Sequence, residues 1–443
     1  QLRECGIELR IEDLDVTGDR IIEQVRWPND FDTLLTLRPL AVDPDPEALA
    51  MHLLEGGERR LAAKQAVTAA ERAADTLAFD RAAHLFRLAL DFEPSFAVDR
   101  YALRLKLADA MVHAGHGAEA AAVYLAAADD AEGTGALELK RRAAEQLIRS
   151  GRVDDGLAIL RRLTDALGLK IAETTGGALA GLVARRVRAR VRGLGFRERA
   201  EADVPVEALL RIDTCWSLAT GLSLVDTVRG VDFQTQHLLL ALEAGEPYRV
   251  ARALAVEAGY RATSNAKGRH QAEQLVWQAA EIAERIDNPH AISICLTISA
   301  VIAFLDGNWQ HASDYGRRAE AILRERCTGV AWELQTSVFY LVRALEMLGE
   351  VGEIVERLPA LLGEARERGD VWASTNLHVR LAYLVHLAGD DPDTADAEVV
   401  AAISNWSDHG YHMQHYWALS SRVGIAAYRG DAAGAWAQLS SEW

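Results

Sequence analysis

Seven side chains between positions 226 and 252 have the types and spacing for recognition chemistry: Asp226, Arg229, Gln234, His237, Tyr248, Arg249 and Arg252. The first four surround the turn VRGVDF, and the last three open the helix that follows. An arginine presents a planar fork of N–H donors that meets a carboxylate or a phosphate at two points. Two helices facing one groove would let these residues bind a protein segment, a peptide or a small polar ligand. The alternative is that the same opposite charges pair with one another and staple adjacent hairpins.

A second cluster, DHGYHMQHYW, holds His409, His412 and His415 beside Trp406 and Trp417. Spacings of three put imidazoles on adjoining turns, and neutral imidazole ligates zinc. Gly410 directly after His409 places that residue in a turn, so packing between helices is the expected role and no metal is assigned. Glu71, Asp109, Glu119, Glu243 and Asp306 are among many carboxylates, yet no spacing selects a pair for acid–base work. A glycosidase would need two carboxyls roughly 5–9.5 Å apart. GxxxxGK, HRD with its Asn, DFG, GxSxG and HExxH are all absent. A non-enzymatic chain with no catalytic residue and no cofactor is expected. A helical toroid with converging carboxylates is the enzymatic alternative.

Composition narrows the partners. The 443 residues are 50% hydrophobic and carry a net charge of −17, which repels phosphate and argues against nucleic-acid or anionic-membrane binding. Cys5, Cys215, Cys295 and Cys327 form no CxxC pair, so isolated thiols are expected rather than disulfides or zinc ligands. No apolar run is long enough to span a bilayer and no secretory leader opens the chain, which predicts a cytoplasmic protein. Gln1 in place of Met predicts a piece of a longer polypeptide. Within the acidic whole lies one basic run: Arg185, Arg186, Arg188, Arg190, Arg192, Arg197 and Arg199. It reads as a helix whose arginine stems cover the solenoid, or as a docking surface for an acidic partner.

The elements that must position these residues come from internal repeats. In FDRAAHLFRLALDFEP, Phe79, Ala82, Phe86, Ala89 and Pro94 stand at offsets 0, 3, 7, 10 and 15, with Ala70 nine positions earlier. Ala108, Gly115, Ala120, Tyr124 and Ala127 repeat the arrangement. So do Ala144, Gly151, Val153, Gly156 and Leu160, and later Ala300, Gly307, Trp309, Ala312, Tyr315 and Ala319. This resembles the tetratricopeptide pattern, in which small residues let two antiparallel helices approach and an aromatic fills the gap. Glycines in LEAGE, MLGEV, LAGDD and YRGDA predict left-handed helix ends. The expected fold is all-α: a right-handed tetratricopeptide-like superhelical solenoid of about ten to twelve antiparallel helix hairpins. The division expected is 1–44, a linker or the tail of an upstream domain with two strand-like stretches; 45–167, N-terminal repeats; 168–232, a divergent basic helical insertion; and 233–443, C-terminal repeats. The concave side of the first helices is the expected binding surface.

The succession LAFDRAAHLFRLAL (77–90), CWSLATGLSLVDTVRGVDF (215–233), AGEPYRVARALAVEAG (244–259), RERCTGVAWEL (324–334) and GYHMQHYWAL (410–419) resembles a known family. It is similar to the C-terminal tetratricopeptide-like sensor region of large bacterial signalling proteins that carry an N-terminal serine/threonine protein kinase and a central signal-transducing ATPase. Related tails occur in ATPase-linked transcription regulators. The resemblance implies a non-catalytic sensor and protein-interaction scaffold. Its partners would be a protein or peptide, the upstream kinase and ATPase domains, or a small ligand whose binding is relayed to them.

Overall fold

The computed structural model describes residues 45–92, 100–169, 171–172, 174–223, 226–264, 266–407 and 410–442. The strand-like stretches expected within 1–44, together with Cys5, Pro94 and His409, lie outside them.

A first arm runs through α1 (Pro46–Glu55), α2 (Arg59–Asp75), α3 (Phe79–Phe92), α4 (Arg100–Ala114), α5 (Gly117–Ala128), α6 (Gly133–Arg149) and α7 (Val153–Ala166). Next comes α8 (Thr175–Arg192), then an irregular stretch with one 3₁₀ turn at Glu201–Asp203. The middle section is α9 (Val206–Leu222), α10 (Thr227–Ala244), α11 (Pro247–Ala262), α12 (Ala266–Arg285), α13 (Pro289–Leu305) and α14 (Trp309–Arg326). The second arm holds α15 (Ala331–Leu348), α16 (Val351–Glu367), α17 (Val371–Leu377), a π turn at His378–Ala382, α18 (Tyr383–Ala388), α19 (Pro392–Ser404), α20 (Met413–Tyr428) and α21 (Ala432–Glu442). Most helices pack on the next in the chain, and no strand occurs among the described residues. The chain is an all-α, tetratricopeptide-like solenoid of paired helices.

The repeat anchors explain the pairing. Ala70, Ala82, Ala108, Ala120, Ala144, Ala300, Ala312 and Ala319 are fully buried, and Phe86 and Tyr124 fill the spaces beside them. At Gly156 the approach is closer still, since a Cβ there would stand 2.7 Å from the Ala144 carbonyl oxygen. Helix starts are fixed by short polar side chains: Asn288, Asn308, Asp370 and Asp391 each accept a hydrogen bond from the backbone N–H three residues on. Helix ends at Gly245, Gly349 and Gly430 are left-handed as the turns predict. In LAGDD the left-handed residue is Asp390 rather than Gly389. A short polar side chain tolerates that conformation, and the Asp390 carboxylate is held by the Tyr428 hydroxyl at 2.8 Å.

Substituting Ala312 by Trp forces an indole into a crossing with no free volume. A loss of about 1–3 kcal/mol or more is expected in urea unfolding, and a near-neutral result would remove Ala312 from the set of crossing anchors.

The array does not stay open. The end of α6 and the start of α7 meet the second arm, with Arg149 Nη2 lying 2.9 Å from Glu333 Oε1 across 184 residues. The Val371 N–H donates to the Ser150 carbonyl at 3.2 Å, and the Ser407 hydroxyl donates to the Asp154 carboxylate at 2.6 Å. A side chain at Gly329, in the α14–α15 turn, would run into the His113 ring of α4. One apolar cluster joins Ala144, Ile148, Val153 and Leu157 to Val338, Leu345, Trp372 and Trp406. The two arms are therefore packed against each other.

Candidate functional site

Their contact leaves an open cavity of about 460 Å³ between the arms and the middle section. Six elements supply its charged wall. Arg141, Glu145 and Arg149 recur every four residues of α6, a spacing that stacks them on one helix face. Asp213 and Trp216 come from α9, and Tyr248, Arg249 and Arg252 from α11. His290 comes from the first turn of α13, Arg326 from the end of α14 with Cys327 to Val330 following it, and Glu333 from α15.

The charges form a connected network. Arg141 is gripped by Glu138 at 2.7 and 2.8 Å and pairs with Glu145, which also accepts from Ser217 at 2.9 Å. Arg149 bridges Glu145 at 2.6 Å and Glu333, and its guanidinium stands 5.6 Å from the Trp332 ring centroid. Glu333 also faces His290 at 3.4 Å, and His290 Nδ1 is 2.9 Å from the Tyr248 hydroxyl. Asp213 takes Arg249 at 2.8 Å and pairs with Arg252. The Arg252 guanidinium lies 4.6 Å from the Trp216 ring centroid and 5.4 Å from that of Tyr248.

Electrostatics keep the wall ionised. Burial pushes the Asp213 carboxyl up, but Arg252, Arg141 and Arg249 together hold it well below the ordinary carboxylate range. Glu333 is raised by burial and lowered more strongly by Arg149 and His290, to about 2. Glu145 is likewise held down, by Arg149 and Arg141 against its burial. A glycosidase-type acid must carry a proton near neutral pH. None of these three does, so the converging carboxylates serve as anchors for guanidiniums.

The residues singled out by sequence divide into three groups. Tyr248, Arg249 and Arg252 line the cavity together. Gln234 and His237 are fully buried beside it: the Gln234 amide donates to the Ala253 carbonyl at 2.9 Å, and the His237 ring centroid lies 5.8 Å from that of Trp216. Burial and the Arg252 charge push His237 well below the usual imidazole range, so it is neutral support for the wall. Asp226 and Arg229 stand apart. Asp226 caps α10 and pairs with Arg229, whose Nε donates to the Ala172 carbonyl at 3.0 Å. That pair ties α10 to the segment before α8.

The arginine run also resolves by side. Arg185 makes a two-point contact with Asp232 at 2.8 and 2.5 Å, and Arg186 pairs with the buried Glu257. Both fasten α8 to the middle section, while Arg188 and Arg190 face outward. His412 accepts from the Trp406 indole at 2.9 Å, and its backbone N–H donates to His415 at 3.0 Å. No group of three His, Cys, Asp or Glu among the described residues could hold a metal ion. Burial pushes the Cys215 and Cys295 thiols up to about 12.

Sequence reasoning missed Arg141, Glu145, Arg149, Asp213 and Glu333. The four-residue recurrence of Arg141, Glu145 and Arg149 in LELKRRAAEQLIR is the one signal of the α6 stripe in the sequence. Three of the five segments that carry the family resemblance (215–233, 244–259 and 324–334) contribute to the cavity wall.

The fold and site define a helical-repeat solenoid with a charged, solvent-open cavity. No protein-family model and no curated protein matches the chain. Among solved structures it is similar to the crystal structure of the APC/C hetero-tetramer Cut9–Hcn1. The identity is 13%, 85% of this chain and 83% of that chain are covered, and the TM-score is 0.31. No helix among the described residues is long and apolar enough to cross a membrane.

Proposed function

We propose that the chain is a non-catalytic sensor and protein-interaction scaffold. In this reading it relays occupancy of its cavity to kinase and ATPase modules of the same polypeptide. The carrying observation is that both arms wall the cavity, with Arg141, Glu145 and Arg149 on one side and Glu333 on the other. A molecule bound there touches both arms and favours one arrangement of them, which is the differential interaction that a relay requires. The enzymatic alternative has little support, because every carboxylate facing the cavity is paired with an arginine.

The test is a reversible lock. Cysteines at Asp154 and Ser407, whose side chains are hydrogen-bonded across the arms, should form a disulfide that fixes the closed state. In the intact polypeptide, the oxidised double variant is expected to change nucleotide hydrolysis or phosphotransfer, and reduction should restore it. Identical output from locked, reduced and single-cysteine forms would refute the relay.

A further inference from the structure

Helix α8 is amphipathic in reverse. Its aliphatic residues Leu179, Val183, Val187 and Val191 are 54%, 57%, 58% and 83% exposed, while Arg185 and Arg186 turn inward to Asp232 of α10 and Glu257 of α11. A surface helix ordinarily turns its aliphatic side toward the core and its charges toward water. The four aliphatics recur every four residues and so form one ridge along the helix. Gly176, Ala180 and Ala184, exposed as well, run beside it and leave a shallow furrow. Single exposed aliphatics are ordinary, whereas a contiguous row rimmed by charge marks a contact surface.

The rim selects what covers the row. At about 100° per residue, Arg188 and Arg190 fall on opposite sides of Val187 and Val191. Both are exposed, and neither has an ion-pair partner among the described residues. Arg185 and Arg186, by contrast, are paired, and Arg192 donates to the carbonyls of Gly193, Gly195 and Leu242. A second copy does not answer the two free guanidiniums on this face, because α8 contains no Asp or Glu and would set arginines among arginines. An anionic bilayer repels a chain whose net charge is −17. A helix with carboxylates on both flanks answers ridge and rim together: its own side-chain row lies in the furrow, and its flanks reach Arg188 and Arg190.

We propose that the outward face of α8 docks an acidic amphipathic helix of a partner protein, with aliphatic contact along Leu179 to Val191 and carboxylates on Arg188 and Arg190. This surface rests on the scaffold reading and is independent of the relay. A silent cysteine lock would refute the relay and leave the surface standing, and failure of the docking would leave the relay to the lock.

Fluorescence anisotropy of the 443-residue chain with labelled peptides of the 18-residue length of α8 tests it. One peptide carries a helical row of leucines flanked by glutamates, a second replaces the glutamates by lysines, and a third scrambles the first. The glutamate peptide should bind saturably and at least about tenfold more tightly than the other two. Arg188→Glu combined with Arg190→Glu should reverse the ranking in favour of the lysine peptide. Val187→Glu should weaken the glutamate peptide by about tenfold or more. Urea midpoints should not move in either variant, since the replaced side chains are exposed. Should Val187→Glu misfold, the charge reversal decides alone. No saturable binding of the glutamate peptide, or an unchanged ranking in the charge-reversed chain, overturns the proposal. Self-association in sedimentation velocity that Val187→Glu abolishes would give the face to a second copy. Pelleting with phosphatidylserine vesicles that the same variant abolishes would give it to a membrane, and either result overturns the proposal as well.

Discussion

Alanine in place of Arg149 is expected to lower stability by about 3–5 kcal/mol, the usual cost of removing one partner from a buried ion pair. Arg149 is the only cation among the described residues seen to bridge Glu145 on its own helix and Glu333 on the opposite arm. Without it, Glu333 keeps only His290 at 3.4 Å, inside a wall where its side chain is 5% exposed. The loss should be visible as a lower urea midpoint and as faster amide exchange along α15, because the bridge joins the arms. The double variant Arg149→Met with Glu333→Met should recover much of the loss, since it removes both charges and leaves nothing buried unpaired. A double variant no more stable than Arg149→Ala would show that the ion pair itself, and not the stranded carboxylate, carries the energy. Arg149→Ala within about 0.5 kcal/mol of wild type would show that the arms are held by their apolar cluster alone.

The second large effect is acid sensitivity. Glu333 titrates near 2 in the folded chain against an ordinary value of 4.5, and Asp213, Glu145 and Glu138 are also held below their ordinary values. Each folded value lies below the unfolded one, so the stabilisation is fully present above the unfolded pKa. It is lost as pH falls through the folded value. From Glu333 alone the amount is about 3 kcal/mol. The contribution of these carboxylates to the urea midpoint should therefore be level above about pH 5 and drop steeply between about 4.5 and 2. Glu333→Gln should flatten that drop, because its amide does not titrate. An unchanged acid profile in Glu333→Gln would show that protonation of this carboxylate is not what opens the protein.

Both expectations turn on residues that are unremarkable as text. Arg149 and Glu333 are two charges among many in helical segments, and nothing near either one in the chain says that they meet. The repeat anchors are the opposite case. Ala82, Ala120 and Ala312 are legible because the hairpin contact is local: a small residue at a fixed offset from an aromatic serves the helix beside it, and the partner lies within one repeat. The same locality made the turns at Gly245 and Gly349 readable. It misplaced the left-handed residue in LAGDD, where contact with Tyr428, a repeat away, holds Asp390 instead.

For the site, the sequence identified Tyr248, Arg249 and Arg252 as arginine and aromatic chemistry opening one helix, and they do share a wall. It grouped them with Asp226 and Arg229 by proximity along the chain, whereas helix direction carries that pair to another end of α10. By itself the sequence determined an all-α array of paired helices, since that information repeats every few dozen residues and is encoded in local size and periodicity. Only the tertiary structure decided that the array closes on itself, and which charges then face a cavity. Closure sums small rotations over many repeats, and it brings together side chains as far apart as Asp154 and Ser407, 253 residues along the chain.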